Sequence, residues 1–247
     1  MPAPSSEGVA VIVSGRSRSG KSAWTKQATR DAPRLIVWDP DDEWSDAGGK
    51  MQRVTSLERM CRIMWGSSGA GFRVRYVPDV VSQDLHGAWA GTVLAWGQGH
   101  DGMGLAAVSD ELADVTSPGK ASAGWGQLVR RGLKRGISLY SISQRWAEAD
   151  KSTFGNCSRV VCFASSSEQD VRYLSSRVRV PAEVLSGLKR LEYVDFSTVT
   201  GEYSRGVLSF PSKKRPGTDT DTAHGHRAGA GAESGPSKPP RSGLLLE

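Results

Sequence analysis

Short apolar runs alternate with amphipathic stretches along residues 8–210. The runs at 9–14, 34–38, 72–77, 105–109, 137–141 and 159–163 are rich in β-formers and nearly continuous in apolar residues. Strands buried on both faces have this pattern, whereas half-solvated strands alternate. Between them, 21–30, 57–65, 84–96, 125–135 and 167–177 predict helices. Strand and helix taken in turn at this spacing predict βαβ crossovers. The expected fold is therefore α/β, with a mainly parallel central sheet flanked by helices. A last segment, 191–210, predicts a hairpin turning at Thr200-Gly201. The chain contains no internal repeat.

Composition changes near Phe210. Residues 212–247 are rich in Gly, Pro, Ser, Thr and Ala, with almost no large apolar residue before Leu244. Such a segment buries too little surface to offset its ordering entropy, so a folded domain over 1–211 and a disordered tail over 212–247 are expected. Leu244, Leu245 and Leu246 are either a small docking element or chance. The tail carries six basic and four acidic residues, two units of a formal net charge of +6. The folded part is thus basic in its own right, which favours an anionic partner such as nucleic acid but equally describes a solvated surface.

Three cysteines without a C-x-x-C pair exclude a disulfide framework or zinc ribbon and fit a reducing cytosol. His86, His100, His224 and His226 have no metal-ligand spacing with them. No stretch approaches the roughly 18 apolar residues of a membrane span. The N-terminus lacks the blocks of a signal peptide, so a cytosolic protein is expected.

The candidate chemistry begins at Gly15-Arg16-Ser17-Arg18-Ser19-Gly20-Lys21-Ser22, which matches G-x-x-x-x-G-K-[ST] between an expected strand and an expected helix. Glycines let the backbone N–H groups wrap phosphates, and the following helix N-terminus adds a favourable dipole. Lys21 is expected to reach the β- and γ-phosphates of ATP, and Ser22 to hold Mg2+. Arg16 and Arg18 either touch phosphate or face solvent.

The run at 105–109 ends in Asp110-Glu111. Asp110 is expected to order the magnesium shell, and Glu111 to polarise the attacking water as general base. The alternative is an ordinary acidic pair capping a helix. The run at 137–141 leads to Ser143-Gln144-Arg145, where Gln144 is a candidate sensor of the γ-phosphate or else a plain loop residue. In the helix expected over 127–135, Gln127, Arg130, Arg131, Lys134 and Arg135 share one face, and Leu128, Val129 and Leu133 the other. Gly- and Ser-rich residues 116–126 suit a mobile loop with Lys120 at its tip. Trp24, Trp38, Trp89 and Trp96 are expected in the core, whereas Trp146 follows Gln144-Arg145 and is a candidate contact to nucleotide or a neighbouring subunit.

This order of elements resembles one family. The phosphate loop, Leu35-Ile-Val-Trp-Asp39-Pro40, Asp110-Glu111, an Arg-rich helix and the strand from Gly136 to Gln144-Arg145 are similar to the HerA/FtsK superfamily of P-loop ATPases. Within it, the similarity is to the genome-packaging ATPases of tailless, membrane-containing double-stranded DNA viruses. Ser143 stands where that family usually has Thr, and the tail lies outside the likeness. The resemblance implies a RecA-like core and a homohexameric ring with ATP at subunit interfaces. It implies double-stranded DNA in the channel and capsid vertex proteins as partners. It further implies an arginine donated in trans, for which Arg130, Arg131 and Arg135 are the candidates, with Lys120 on DNA phosphate. The protein would then work in the host cytoplasm and at the packaging vertex of the virion.

Other functions remain to be weighed. A conjugation or filamentous-phage export ATPase would usually bring a membrane helix. A nucleotide-switch GTPase should show Asn-Lys-x-Asp, which is missing from this sequence. A nucleoside kinase should show an Arg-rich lid, and Glu111 argues against it.

Overall fold

A computed structural model of the chain describes residues 7–45, 50–119 and 121–210. Lys120 and the segment expected to be a tail lie outside the described residues. In chain order the elements are β1 (Ala10–Ser14), α1 (Lys21–Ala28), β2 (Arg34–Trp38), β3 (Gln52–Val54), α2 (Leu57–Gly66), β4 (Phe72–Tyr76), α3 (Gln83–Gly99), β5 (Leu105–Ser109), α4 (Ala123–Arg131), β6 (Ile137–Ser143), α5 (Lys151–Gly155), β7 (Arg159–Phe163), α6 (Glu168–Val178), α7 (Ala182–Ser186), β8 (Glu192–Ser197) and β9 (Tyr203–Val207).

Among the described residues these strands form one nine-stranded sheet in the order β3-β4-β2-β5-β6-β1-β7-β8-β9. The pairings from β3 to β7 are all parallel. β8 and β9 are antiparallel additions that form the expected hairpin. β1 and β5 are buried along their whole length, as the continuous apolar runs require. Successive side chains enter two cores. Ile12, Ile36, Ala107 and Leu139 face the side covered by α2, α3, α4, α6 and α7. Val11, Val13, Leu35, Val37 and Val108 face the side where Trp24 of α1, Trp44 and Leu208 pack.

Helices α2, α3, α4 and α6 begin at serine N-caps, each hydroxyl accepting a backbone N–H from the first turn. α3 and α4 pack backbone to backbone: a Cβ on Gly124 would lie 1.9 Å from the Gly87 carbonyl oxygen. Trp24, Trp38, Trp89 and Trp96 are buried as expected. His86 of α3 is boxed by Trp38, Trp89 and Trp125, with ring centroids at 5.0–5.4 Å. Its Nε2 lies 2.9 Å from Ser109 Oγ, and full burial pushes the imidazole down to about 3, so it stays neutral.

Three expectations change. The helix expected to continue through Arg135 stops at Arg131. Gly132 opens a separate 3-10 turn over Leu133–Arg135, which closes on Gly136 at positive φ. The strand at 137 runs on to Ser143, so Gln144 follows it directly. Trp146 cannot meet nucleotide or a neighbour: it is fully buried, and its indole N–H donates to the Val13 carbonyl at 3.2 Å.

Candidate active site

The C-terminal ends of β5, β6 and β1 lie side by side, because β6 pairs with both of the others in parallel. The loop after each carries one part of the site. After β1, residues 15–20 curl back on α1. Gly15 and Gly20 have φ of 147° and 123°, a region open to glycine. A Cβ on Gly15 would lie 2.6 Å from Phe163 Cβ, so the loop is pressed onto β7. The Arg16 N–H donates to the Ala164 carbonyl, and the Leu191 N–H to the Ser19 carbonyl, which anchors the loop to both neighbours. Arg16, Ser17 and Arg18 are exposed at its apex, whereas Ser19 is buried.

Lys21 opens α1 with its side chain only 5% exposed. Its ammonium donates to the Arg16 carbonyl at 3.1 Å and lies 4.0 Å from Glu111 Oε1. Burial lowers its pKa below the ordinary lysine value, against the pull of Glu111, Asp110 and Glu43. Ser22 follows, partly exposed.

Asp110 and Glu111 leave β5 in different directions. Asp110 is buried, and its Oδ1 accepts the Glu111 N–H at 3.1 Å. Its Oδ2 accepts the indole N–H of Trp44 at 2.7 Å. Desolvation pushes its pKa up to about 6; the Trp44 hydrogen bond and Lys21 act against that rise, and Glu111 adds to it. Glu111 adopts a left-handed backbone, φ 49°, at the head of the 3-10 turn Leu112–Asp114. Its carboxylate makes no capping hydrogen bond to that turn. Instead Gln144 Nε2 donates to Glu111 Oε1 at 2.8 Å. Lys21, Asp110, Glu111 and Gln144 thus meet at one edge of the sheet.

Arg130, Arg131 and Arg135 are not brought there. α4 runs back from the β5 end, and Arg135 precedes β6 at the opposite edge, where it pairs with Asp101 at 2.9 Å. The seven residues of β6 separate the two edges by about 20 Å. Arg130 and Arg131 are exposed on the face expected for them. Beside the phosphate loop, Arg16, Gln144, Arg145, Glu148, Ser165 and Ser167 line a polar cleft of 380 Å3.

The turn that presents Trp44 had no place among the sequence-based candidates. Asp39 follows β2 directly and is buried. Its Oδ1 accepts the Glu43 N–H at 2.9 Å, and its Oδ2 accepts the Trp44 N–H at 3.1 Å and Arg75 Nη1 at 3.1 Å. Asp39 therefore builds a turn rather than touching the phosphate loop. The signal in the sequence was Asp-Pro followed by Asp, which are turn residues; nothing marked Trp44 itself.

The donor set is one of hard oxygens: a serine hydroxyl, a carboxylate and the phosphates that the loop would hold. That suits magnesium, which takes few protein ligands and retains waters. No cluster of three or more His, Cys, Asp or Glu suited to a metal occurs among the described residues, so the fit rests on Ser22, Asp110 and bound phosphate together.

No family model matches the chain. Protein P9 of Pseudoalteromonas phage PM2 is 27% identical over 181 residues, covering 73% of this chain and 79% of P9. The genome-packaging NTPase B204 of Sulfolobus turreted icosahedral virus 2, solved with ATP-gammaS, superposes with a TM-score of 0.67 at 14% identity, covering 84% of this chain and all of B204. The chain thus shares the fold of B204. The bacterial conjugative coupling protein TrwB shares it more loosely, with a TM-score of 0.60 at 11% identity over 86% of this chain and 91% of TrwB. A fold common to these P-loop ATPases agrees with the resemblance carried by the motifs.

The expected division of labour sets Lys21 as cradle and Glu111 as base. Lys21→Ala is expected to weaken ATP binding, whereas Glu111→Gln keeps the binding and abolishes turnover. Equilibrium binding and single-turnover hydrolysis check this, and a Glu111→Gln protein that hydrolyses ATP at the wild-type rate would contradict it.

Proposed function

We propose that this chain is an ATP-driven DNA translocase that packages a double-stranded DNA genome into a preformed viral capsid. The observation that carries the reading is the meeting of Lys21, Glu111 and Gln144 at the ends of three adjacent parallel strands. The likeness to B204 supports the packaging role over the general class of ATPases. The likeness to TrwB keeps conjugative export as the second motor reading.

In this account the phosphate loop binds the triphosphate through its backbone N–H groups, and Lys21 exchanges the Arg16 carbonyl for phosphate oxygen. Ser22 and Asp110 hold the magnesium shell. Magnesium, when bound, neutralises charge on the β- and γ-phosphates. Glu111 accepts the proton of the attacking water. Gln144 is bonded to Glu111, so a shift of its amide toward the γ-phosphate would free the base only when ATP is in place. The basic folded part and a partner of any sequence call for phosphate contacts. DNA affinity is therefore expected to fall steeply with salt and to show little sequence preference, as counterion release dictates. Filter binding over a salt series checks this; salt-insensitive or sequence-confined binding would count against a packaging motor.

The subunits are proposed to assemble as a homohexameric ring, in the host cytoplasm and then at the capsid vertex, with one of Arg130, Arg131 or Arg135 reaching a neighbour's nucleotide. Their place away from Lys21 and Glu111 means that any contact of theirs with nucleotide would be made in trans; otherwise the basic face meets DNA or solvent. A cation supplied that way is worth roughly 10³–10⁵ in rate where arginine fingers have been measured. An arginine-to-alanine subunit still owns Lys21 and Glu111, and a Lys21→Ala subunit still owns the arginine. Mixing the two inactive proteins is expected to restore turnover at mixed interfaces. No rescue from any pair, with mixed rings confirmed by mass, would reject a trans arginine here.

A further inference from the structure

Trp44 lies outside every helix and strand, yet its indole is fully buried and aimed at the site. A network of contacts holds it there. The Asp39 carboxylate accepts its backbone N–H and that of Glu43. Arg75 clamps Asp39 and also pairs with Asp42 in the same turn. Lys26 of α1 donates to the Glu43 carbonyl at 2.7 Å and sits 5.6 Å above the Trp44 ring. The ring packs with Val37, Val108 and Trp24 in the core on that side. A greasy plug would need no such apparatus, and the outcome of all of it is one N–H 2.7 Å from Asp110 Oδ2.

A carboxylate taken out of water is costly unless its oxygens are hydrogen-bonded. The Glu111 N–H serves Oδ1, and Trp44 serves Oδ2. An indole N–H only donates and cannot turn round to accept, so it engages one lone pair of Oδ2 and leaves the other for a further partner. Loss of a group that orients a metal's carboxylate from behind in this way typically costs about 10- to 100-fold in metal affinity.

We propose that Trp44 is a positioning residue for nucleotide binding: its indole N–H, delivered by the turn built on Asp39, holds the Asp110 carboxylate in the rotamer that receives magnesium–ATP. This rests on Asp110 serving the magnesium shell. Packing and positioning separate cleanly, because benzothienylalanine keeps the bicyclic shape and lacks the N–H. Trp44→Phe removes the donor while retaining an aromatic ring.

The experiment measures binding of a slowly hydrolysed ATP analogue to the full chain, in EDTA and over a magnesium titration. The proteins are wild type, Trp44→Phe and the chain with benzothienylalanine at position 44. The expected result is that both altered proteins need about tenfold or more magnesium for half-maximal tightening, while affinity in EDTA stays within about twofold of wild type. An unchanged magnesium requirement in the benzothienylalanine protein would overturn the proposal, even if Trp44→Phe fails to fold. A parallel loss of affinity with and without magnesium would also overturn it, since that is the mark of a disturbed core. Wild-type binding that ignores magnesium would instead reject the role given to Asp110, and the role of Trp44 with it.

Discussion

The Asp110 carboxylate is held at the end of β5 with almost no contact with water, and much of the surrounding structure exists to make that tolerable. One oxygen takes the following backbone N–H and the other takes an indole. The indole needs a turn, the turn needs Asp39, and Asp39 needs Arg75 from β4. The burial that raises the Asp110 pKa also lowers that of Lys21, since both are kept from solvent in the same corner. Charges assembled in such a place act on one another, and on bound phosphate, through a lower effective dielectric than at a surface.

Sheet order then decides which residues act together. With β6 between β5 and β1, the residue after β6 stands between the base and the phosphate loop, and the Gln144 amide reaches Glu111. Were β5 and β1 direct neighbours, no third strand end would stand beside Glu111 and Lys21. The same geometry sends the arginines away. A helix returning from the β5 end deposits its C-terminal side chains at the start of β6, a strand's length from the phosphates of its own subunit. The separation of Lys21, Glu111 and Gln144 at one edge from Arg135 at the other is thus built into the parallel crossover.

The long parallel strands were legible because burial on both faces forces continuous apolar runs, and the nearness of Lys21 to Glu111 because both motifs follow strands of one parallel sheet. Smaller pieces left no such mark. β3 has only three residues, Gln-Arg-Val, at the sheet edge with two of them exposed, so it carries no apolar signature. α5 and α7 have five residues each, too few for a helical period to register. Trp146 misled because nearness in sequence to Gln144 was taken for nearness in space, whereas its ring turns inward to β1. Trp44 was invisible for the opposite reason. Its importance comes from an irregular turn folded by tertiary hydrogen bonds, and no periodicity records those. The break in α4 at Gly132 had a sign, a glycine beside another four residues on, but the amphipathic stripe of the flanking residues outweighed it.

The central claim is that hydrolysis at this edge is coupled to DNA held elsewhere on the assembly. Steady-state ATP hydrolysis by the full chain, with and without linear double-stranded DNA at low salt, tests it most directly. The account predicts slow turnover alone and a several-fold rise with DNA of unrelated sequences, strengthening with protein concentration as rings form. Wild-type turnover that is brisk in the dilute monomer and indifferent to DNA would contradict it.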